Sequence, residues 1–379
     1  MRIQHAKVFV GRAFVEADIE FDSRITAIGK LEGDADMDAA GRYVVPGFVD
    51  IHTHGAVGED FSDGKPEGLL RLSAYYAAQG VTSFLATTMT LKENALLPAM
   101  RAVRGFADAG GAKCAGVHLE GPFLSYAKRG AQAAENLHLP DTAMFRRLNE
   151  ASGGRVRLVT VAPEEDGAIP FIREVSACCT VSIGHTTADY DLAMAAFQAG
   201  ASHATHLFNG MPPLLHRSPG VVGAAMDSGA SVELICDGLH IHPSVIRATS
   251  RMFGDKLNLV SDSLRCAGMP DGTYELGGQP IVVRDRKAIL LDGTLAGSCI
   301  SIAHAVQNVV RFGLPLETAI YASSTAPALA IGARDIGSIQ VGKAADLVLL
   351  DENLNVDAVF INGVPVAPKA GWTGNGAPD

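Results

Sequence analysis

The chain has 379 residues, 47% hydrophobic and 19% charged, with 41 glycines and 18 prolines; this excludes a disordered or collagen-like chain and predicts a soluble globule. At roughly 100–200 residues per domain the length suggests two or three units, unless one large barrel takes most of it. The formal charge of −10, without a cluster of Lys and Arg, argues against a nucleic-acid partner.

The N-terminal MRIQHAKVFVGRAF has no charged head before a long apolar core, and no run reaches the ~18 apolar residues of a membrane span. The expected setting is the cytoplasm, with no membrane partner. Residues 1–43 are short strand-like pieces separated by Gly, Asp and Asn, and 335–368 have the same character, so IQHAKVFVGRAFVEADIEF and KAADLVLLDENLNVDAVFINGVPV should pair. Both ends, 1–43 and 335–379, are therefore expected to build one small β-domain. From about Pro368 the chain is rich in Gly and Pro and should fray.

From Val44 to Asp262 short apolar runs alternate with segments of helical spacing, the pattern of βα units on a parallel sheet. Eight runs are present: VVPGFVDIH (44–52), VTSFLATT (81–88), KCAGVHLE (113–120), VRLVTVAP (156–163), CTVSIGH (179–185), SHATHLF (202–208), SVELICD (231–237) and LNLVSD (257–262). Eight is the number that closes an α/β (β/α)8 TIM-like barrel, expected over 44–334. Helices are predicted at 66–80 and 188–200, each ending in Gly. Residues 271–293 alternate around a Gly-Gly turn and predict an inserted hairpin, after which helical spacing resumes through 294–332. The six cysteines have no CxxC spacing and read as buried, reduced thiols.

In such a barrel the site lies at the C-terminal strand ends. These ends carry His52 and His54, Glu120, His185, His206 and Asp262. His and carboxylate suit a divalent metal, zinc first, with Fe, Mn or Co as other choices. His52 and His54 point to one side of a strand, and a carboxylate ending an apolar run, as Glu120 does, is costly to bury without a cation or donors. His118 reads as core or as a support for the ligands, and His203, facing away from His206, as packed against the outer helices. Asp262 would sit on the rim, where a carboxylate can take a proton from water and later return it. The Pro-rich loop 206–220 carries Asn209, His216 and Arg217, the last suited to a phosphate or carboxylate, and the next rim segment adds His240 and His242.

Taken together, PGFVDIHTHG, HLEGPFL, GHTTADY, THLFNGM, CDGLHIHP, LVSD, DGTLAGS and GSIQVGKAADLVLLD resemble, in order and over nearly the whole chain, the amidohydrolase superfamily and, within it, the N-acetylglucosamine-6-phosphate deacetylases. The resemblance implies one or two metals per chain, with Glu120, His185 and His206 on one and His52 and His54 on a second. No Lys follows the fourth strand, so Glu120 would supply the bridging oxygen if two metals bind. It further implies metal-assisted hydrolysis of the N-acetyl group of a small-molecule sugar phosphate, with Asp262 accepting and returning the proton, and a homodimer. Asn209, the Gly210 backbone, Arg217 and His240 would hold the 6-phosphate. Gln132 stands where several relatives have a His that contacts the acetyl carbonyl, and Gly210 where Ala is commoner. The alternatives are N-acetylgalactosamine-6-phosphate or another N-acyl compound as substrate, or a non-catalytic sugar-phosphate sensor.

Overall fold

A computed structural model describes residues 1–107 and 110–366; the tail from about Pro368, expected to fray, and the far end of the 335–379 segment lie outside them. Eight parallel strands follow one another around a barrel in chain order: Phe48–Thr53, Val81–Thr88, Lys113–Glu120, Val156–Val161, Thr180–Ile183, His203–Ala204, Ser231–Ile235 and Leu257–Val260. The eighth meets the first through the segment that follows it. The Asp262 N–H donates to the His52 carbonyl at 2.8 Å and the His54 N–H to the Ser263 carbonyl at 2.9 Å. The strands are buried almost throughout, as expected of a parallel sheet covered on both faces.

The run 44–52 is two strands rather than one. Tyr43–Pro46 belongs to a second sheet and Phe48–Thr53 to the barrel, with the break at Gly47, where a Cβ would overlap the Thr82 side chain. In the second sheet Tyr43–Pro46 pairs antiparallel with Leu347–Leu350, so the N-terminal strands Arg2–Val10, Ala13–Phe21 and Ile25–Gly29 and the C-terminal strand Val356–Ile361 form one sheet. This sheet has its own apolar core, which includes Ile3, Ile19, Phe21, Leu347 and Phe360. It is tied to the barrel by Lys113, on the third barrel strand, whose ammonium meets the buried Asp346 carboxylate.

The predicted helices lie at Pro66–Ala78 and Tyr190–Ala199. The insertion is larger than a hairpin. Gly272–Leu276, Gln279–Arg284 and Lys287–Leu290 form a three-stranded antiparallel meander, because Asp285 and Arg286 make a second turn with positive φ after the Gly277–Gly278 turn. Helices Ile302–Arg311, Leu316–Ser323 and Thr325–Ala330 follow. No disulfide joins any of the six cysteines, but they are not uniformly buried: Cys178 is exposed and Cys179 and Cys299 are partly so. No helix among the described residues is long and apolar enough to cross a membrane.

Candidate active site

The predicted ligand residues meet at the C-terminal mouth of the barrel. His52 lies within the first strand and His54 just beyond it, Glu120 ends the third strand, and His185, His206 and Asp262 each stand two residues past the fifth, sixth and eighth. The last three have positive φ, of 47°, 26° and 47°. Such a backbone is costly for a residue with a Cβ and persists only where its surroundings hold it. That bend explains why the sixth strand stops at Ala204 instead of running through the predicted 202–208.

The Glu120 carboxylate is the hub. Its Oε1 lies 2.9 Å from His206 Nε2, 3.1 Å from His185 Nε2 and 3.4 Å from His52 Nε2, and its Oε2 lies 3.2 Å from His54 Nε2. Asp262 Oδ1 is 3.3 Å from His54 Nε2 and 3.5 Å from His52 Nε2. All six side chains are buried. Burial pushes the Glu120 carboxyl up, but His52, His185 and His206 more than reverse it and hold it well below the usual range. Asp262 is likewise lowered, burial being outweighed by His52 and His54. Burial lowers His54, yet Asp262 and Glu120 bring it up to about 9.

This donor set fits a divalent cation. His185 Nδ1 donates to the Lys128 carbonyl at 2.8 Å, which leaves a lone pair on Nε2 of the neutral ring, and that atom stands 3.0 Å from His206 Nε2. His52 Nε2 is buried without a hydrogen-bond partner among the described residues. Three triads each bring one ligand atom per residue within 4.8 Å of the others: His52–His54–Glu120 and Glu120–His185–His206, which share Glu120, and His52–His118–Glu233. A small cation is what satisfies such a crowd of lone pairs.

His54, Glu120, His185, His206 and Asp262 open into a cavity of about 400 Å³. Gln132, Asn209, Gly210 and His240 line it, as do Lys128, Leu276 of the meander and the segment Thr294–Gly297. Gln132 is buried; its amide nitrogen donates to Glu120 Oε2 at 2.7 Å and its oxygen accepts from the Thr90 N–H at 2.8 Å, so it clamps the hub carboxylate. Asn209 turns its amide back to the His206 carbonyl at 3.1 Å. Gly210 has φ of 62°, and a Cβ there would stand 3.0 Å from His185 Nδ1, so Ala in this backbone would need a local shift. His240 bridges Asp237 Oδ2 at 2.7 Å and the Ala296 carbonyl at 2.8 Å.

Several expected residues are placed elsewhere. His216 and Arg217 are exposed, as are their neighbours from Pro213 to Ser218, and do not line the cavity. His242 caps the helix Pro243–Phe253. His203 does not face the outer helices; its Nδ1 lies 3.1 Å from Ser182 Oγ and 3.8 Å from Glu233 Oε1. His118 bonds Thr160 Oγ1 at 2.8 Å and packs its ring edge-on to His52. A roomier groove, about 540 Å³, between Tyr190–Ala199, Gly220–Ser228 and Leu316–Ala330 contains none of the candidate residues.

Sequence reasoning missed two groups. Lys128 is the one Lys or Arg lining the cavity among the described residues, and it was hidden in the loop AKRGAQ beside an equally plausible Arg129. Glu233 is a carboxylate in the middle of the apolar run SVELI and is wholly buried; a lone charge within a parallel strand was the signal for it.

The amidohydrolase family model matches residues 43–366. The chain belongs to the amidohydrolase family. It is 40% identical over 331 residues to the N-acetylglucosamine-6-phosphate deacetylase of Bacillus subtilis (strain 168), covering 84% of this chain and 83% of that protein. It is 36% identical over 324 residues to the N-acetylgalactosamine-6-phosphate deacetylase of Escherichia coli O157:H7, covering 84% and 86%. The crystal structure of N-acetyl-D-glucosamine-6-phosphate deacetylase from Mycobacterium smegmatis superposes with a TM-score of 0.92 at 34% identity, over 97% of this chain and 100% of that one.

Proposed function

We propose that this amidohydrolase removes the acetyl group of N-acetylglucosamine-6-phosphate, giving glucosamine-6-phosphate and acetate. The observation that carries the reading is the convergence of four imidazoles on Glu120, with Asp262 3.3 Å from one of them, at the floor of a cavity lined by Lys128 and His240. Similarity to the Bacillus subtilis enzyme supports the choice of substrate.

On this reading Glu120, His185 and His206 would hold one divalent ion, zinc in our assignment, and His52, His54 and Glu120 are the residues that would hold a second. Such an ion would lower the pKa of a water toward neutrality and polarise a carbonyl oxygen. Asp262 takes the proton of the attacking water as oxygen adds to the acetyl carbon. It then delivers that proton to the sugar nitrogen as the C–N bond breaks, so that acetate and an amine leave. Gln132 keeps the Glu120 carboxylate in place. Lys128, Asn209, the Gly210 backbone and His240 receive the phosphate end, whose binding energy orients the amide. Arg217, exposed on the rim loop beside the exposed Leu214 and Leu215, fits a surface that meets a second copy. We assign the protein a homodimeric state and a cytoplasmic location, the former tested by light scattering on the eluted protein.

Parallel acetate-release assays on N-acetylglucosamine-6-phosphate, its galactosamine epimer and unphosphorylated N-acetylglucosamine test the substrate. A kcat/KM at least tenfold higher for the first supports the reading. Equal or greater turnover of the epimer would replace the substrate, and no release from any would remove this amide class.

A further inference from the structure

The seventh barrel strand brings a carboxylate beneath the site that the proposed chemistry does not use. Glu233 is wholly buried, and its Oε2 accepts two hydrogen bonds, from His52 Nδ1 at 2.8 Å and from the backbone N–H of His206 at 3.0 Å. Its nearest other basic atom is His203 Nδ1, 3.8 Å from Oε1. Burying a carboxylate on an apolar strand is expensive, so this group needs a reason beyond packing.

The two bonds have a common consequence. A neutral imidazole carries one N–H, and an acceptor at Nδ1 places it there, so the lone pair of His52 is on Nε2 and points toward Glu120 and Asp262. The second bond holds the main chain of His206, whose φ of 26° is a conformation that depends on such support. One carboxylate thus fixes the ring of His52, from the triad with His54 and Glu120, and the backbone of His206, from the triad with His185 and Glu120. We propose that Glu233 is a positioning residue that presents His52 and His206 together to a divalent cation; this rests on the metal-binding reading above.

The test uses the full-length chain, stripped with a chelator and titrated with zinc chloride alone against a chromogenic competitor, for wild type, Glu233→Gln and Glu233→Ala. The proposal expects Glu233→Ala to weaken zinc binding about 10–100-fold, and Glu233→Gln, which keeps an acceptor oxygen, to fall between it and wild type. Affinity of Glu233→Ala within twofold of wild type would overturn the positioning role while leaving the metal reading intact. A wild type that binds no zinc would overturn that reading and this proposal with it. Nitrogen-15 NMR of the zinc-loaded wild type decides the point even if a variant fails to fold. A proton on His52 Nδ1 is expected, and a bare Nδ1 overturns the proposal.

Discussion

Replacing Asp262 with Asn separates chemistry from architecture. The main chain at Asp262 is held by its N–H on the His52 carbonyl at 2.8 Å and by the Ser298 N–H on its own carbonyl at 2.7 Å, and Asn keeps both. Asn also tolerates the positive φ of 47° found there. The fold and the cavity should therefore survive, with the melting temperature within a few degrees of wild type. What is lost is a carboxylate that accepts a proton and returns it. General acid–base catalysis contributes roughly 10²–10⁴-fold, and a group serving both halves of the reaction belongs in the upper part of that range. We expect kcat to fall about 10³–10⁴-fold, which at 1.36 kcal/mol per tenfold is about 4–5.5 kcal/mol, with KM changed only a few-fold. Steady-state acetate release, with substrate affinity measured separately by calorimetry, checks it. A kcat within tenfold of wild type would refute the proton-transfer role, and so would a loss of activity that tracks a loss of folded protein.

Three further outcomes follow from other parts of the molecule. Lys128→Ala removes a positive charge from the cavity wall and should lower kcat/KM for the phosphorylated substrate roughly 10–100-fold, about 1.5–3 kcal/mol for a charged hydrogen bond, while leaving the unphosphorylated sugar unaffected; equal losses on both would place Lys128 away from the phosphate. Asp346→Ala leaves the Lys113 ammonium without its buried partner and should cost about 2–3 kcal/mol in denaturant unfolding, below the 3–5 kcal/mol of a fully buried pair because Lys113 is partly exposed; a cost under 0.5 kcal/mol would contradict that tie. The Asp237–His240 pair sets a pH dependence. Burial raises Asp237, but His240 outweighs it and leaves the carboxyl lowered, while burial lowers His240 and Asp237 leaves it raised. The raised His stabilises below its unfolded pKa of ~6.5 and the lowered Asp above its unfolded ~3.9. The stability gap between wild type and Asp237→Asn should thus be widest near pH 4–6.5 and shrink as pH rises through the raised His240 value; a flat gap from pH 5 to 9 would contradict it.

The barrel was legible because eight apolar runs of strand length alternate with helical spacing, and its polar strand ends singled out Glu120, His185, His206 and Asp262, which the fold brings together at one mouth. What escaped has physical causes. The apolar run continues across Gly47, so nothing in VVPGFVDIH tells which residues pair with Leu347–Leu350 and which with the barrel. A turn made by Asp285 and Arg286 carries no Gly, so the third strand of the meander went unseen. Arg217 was expected at the phosphate because charge can be read from a sequence, whereas its exposed place outside the cavity lining cannot. Glu233 and Lys128 matter through what they touch across 181 residues of chain in one case and through which wall of a cavity they join in the other, and both are properties of the fold alone.

The central claim is that the buried imidazole–carboxylate cluster binds a divalent metal that hydrolysis of the N-acetyl sugar phosphate requires. Stripping the protein with a chelator, then adding zinc back stepwise while following bound metal and acetate release on the same sample, tests it most directly. The account predicts that activity is lost on stripping and returns in proportion to metal bound, reaching a plateau at one or two ions per chain. Full acetate release from metal-free protein, or full metal occupancy with no release, would contradict it.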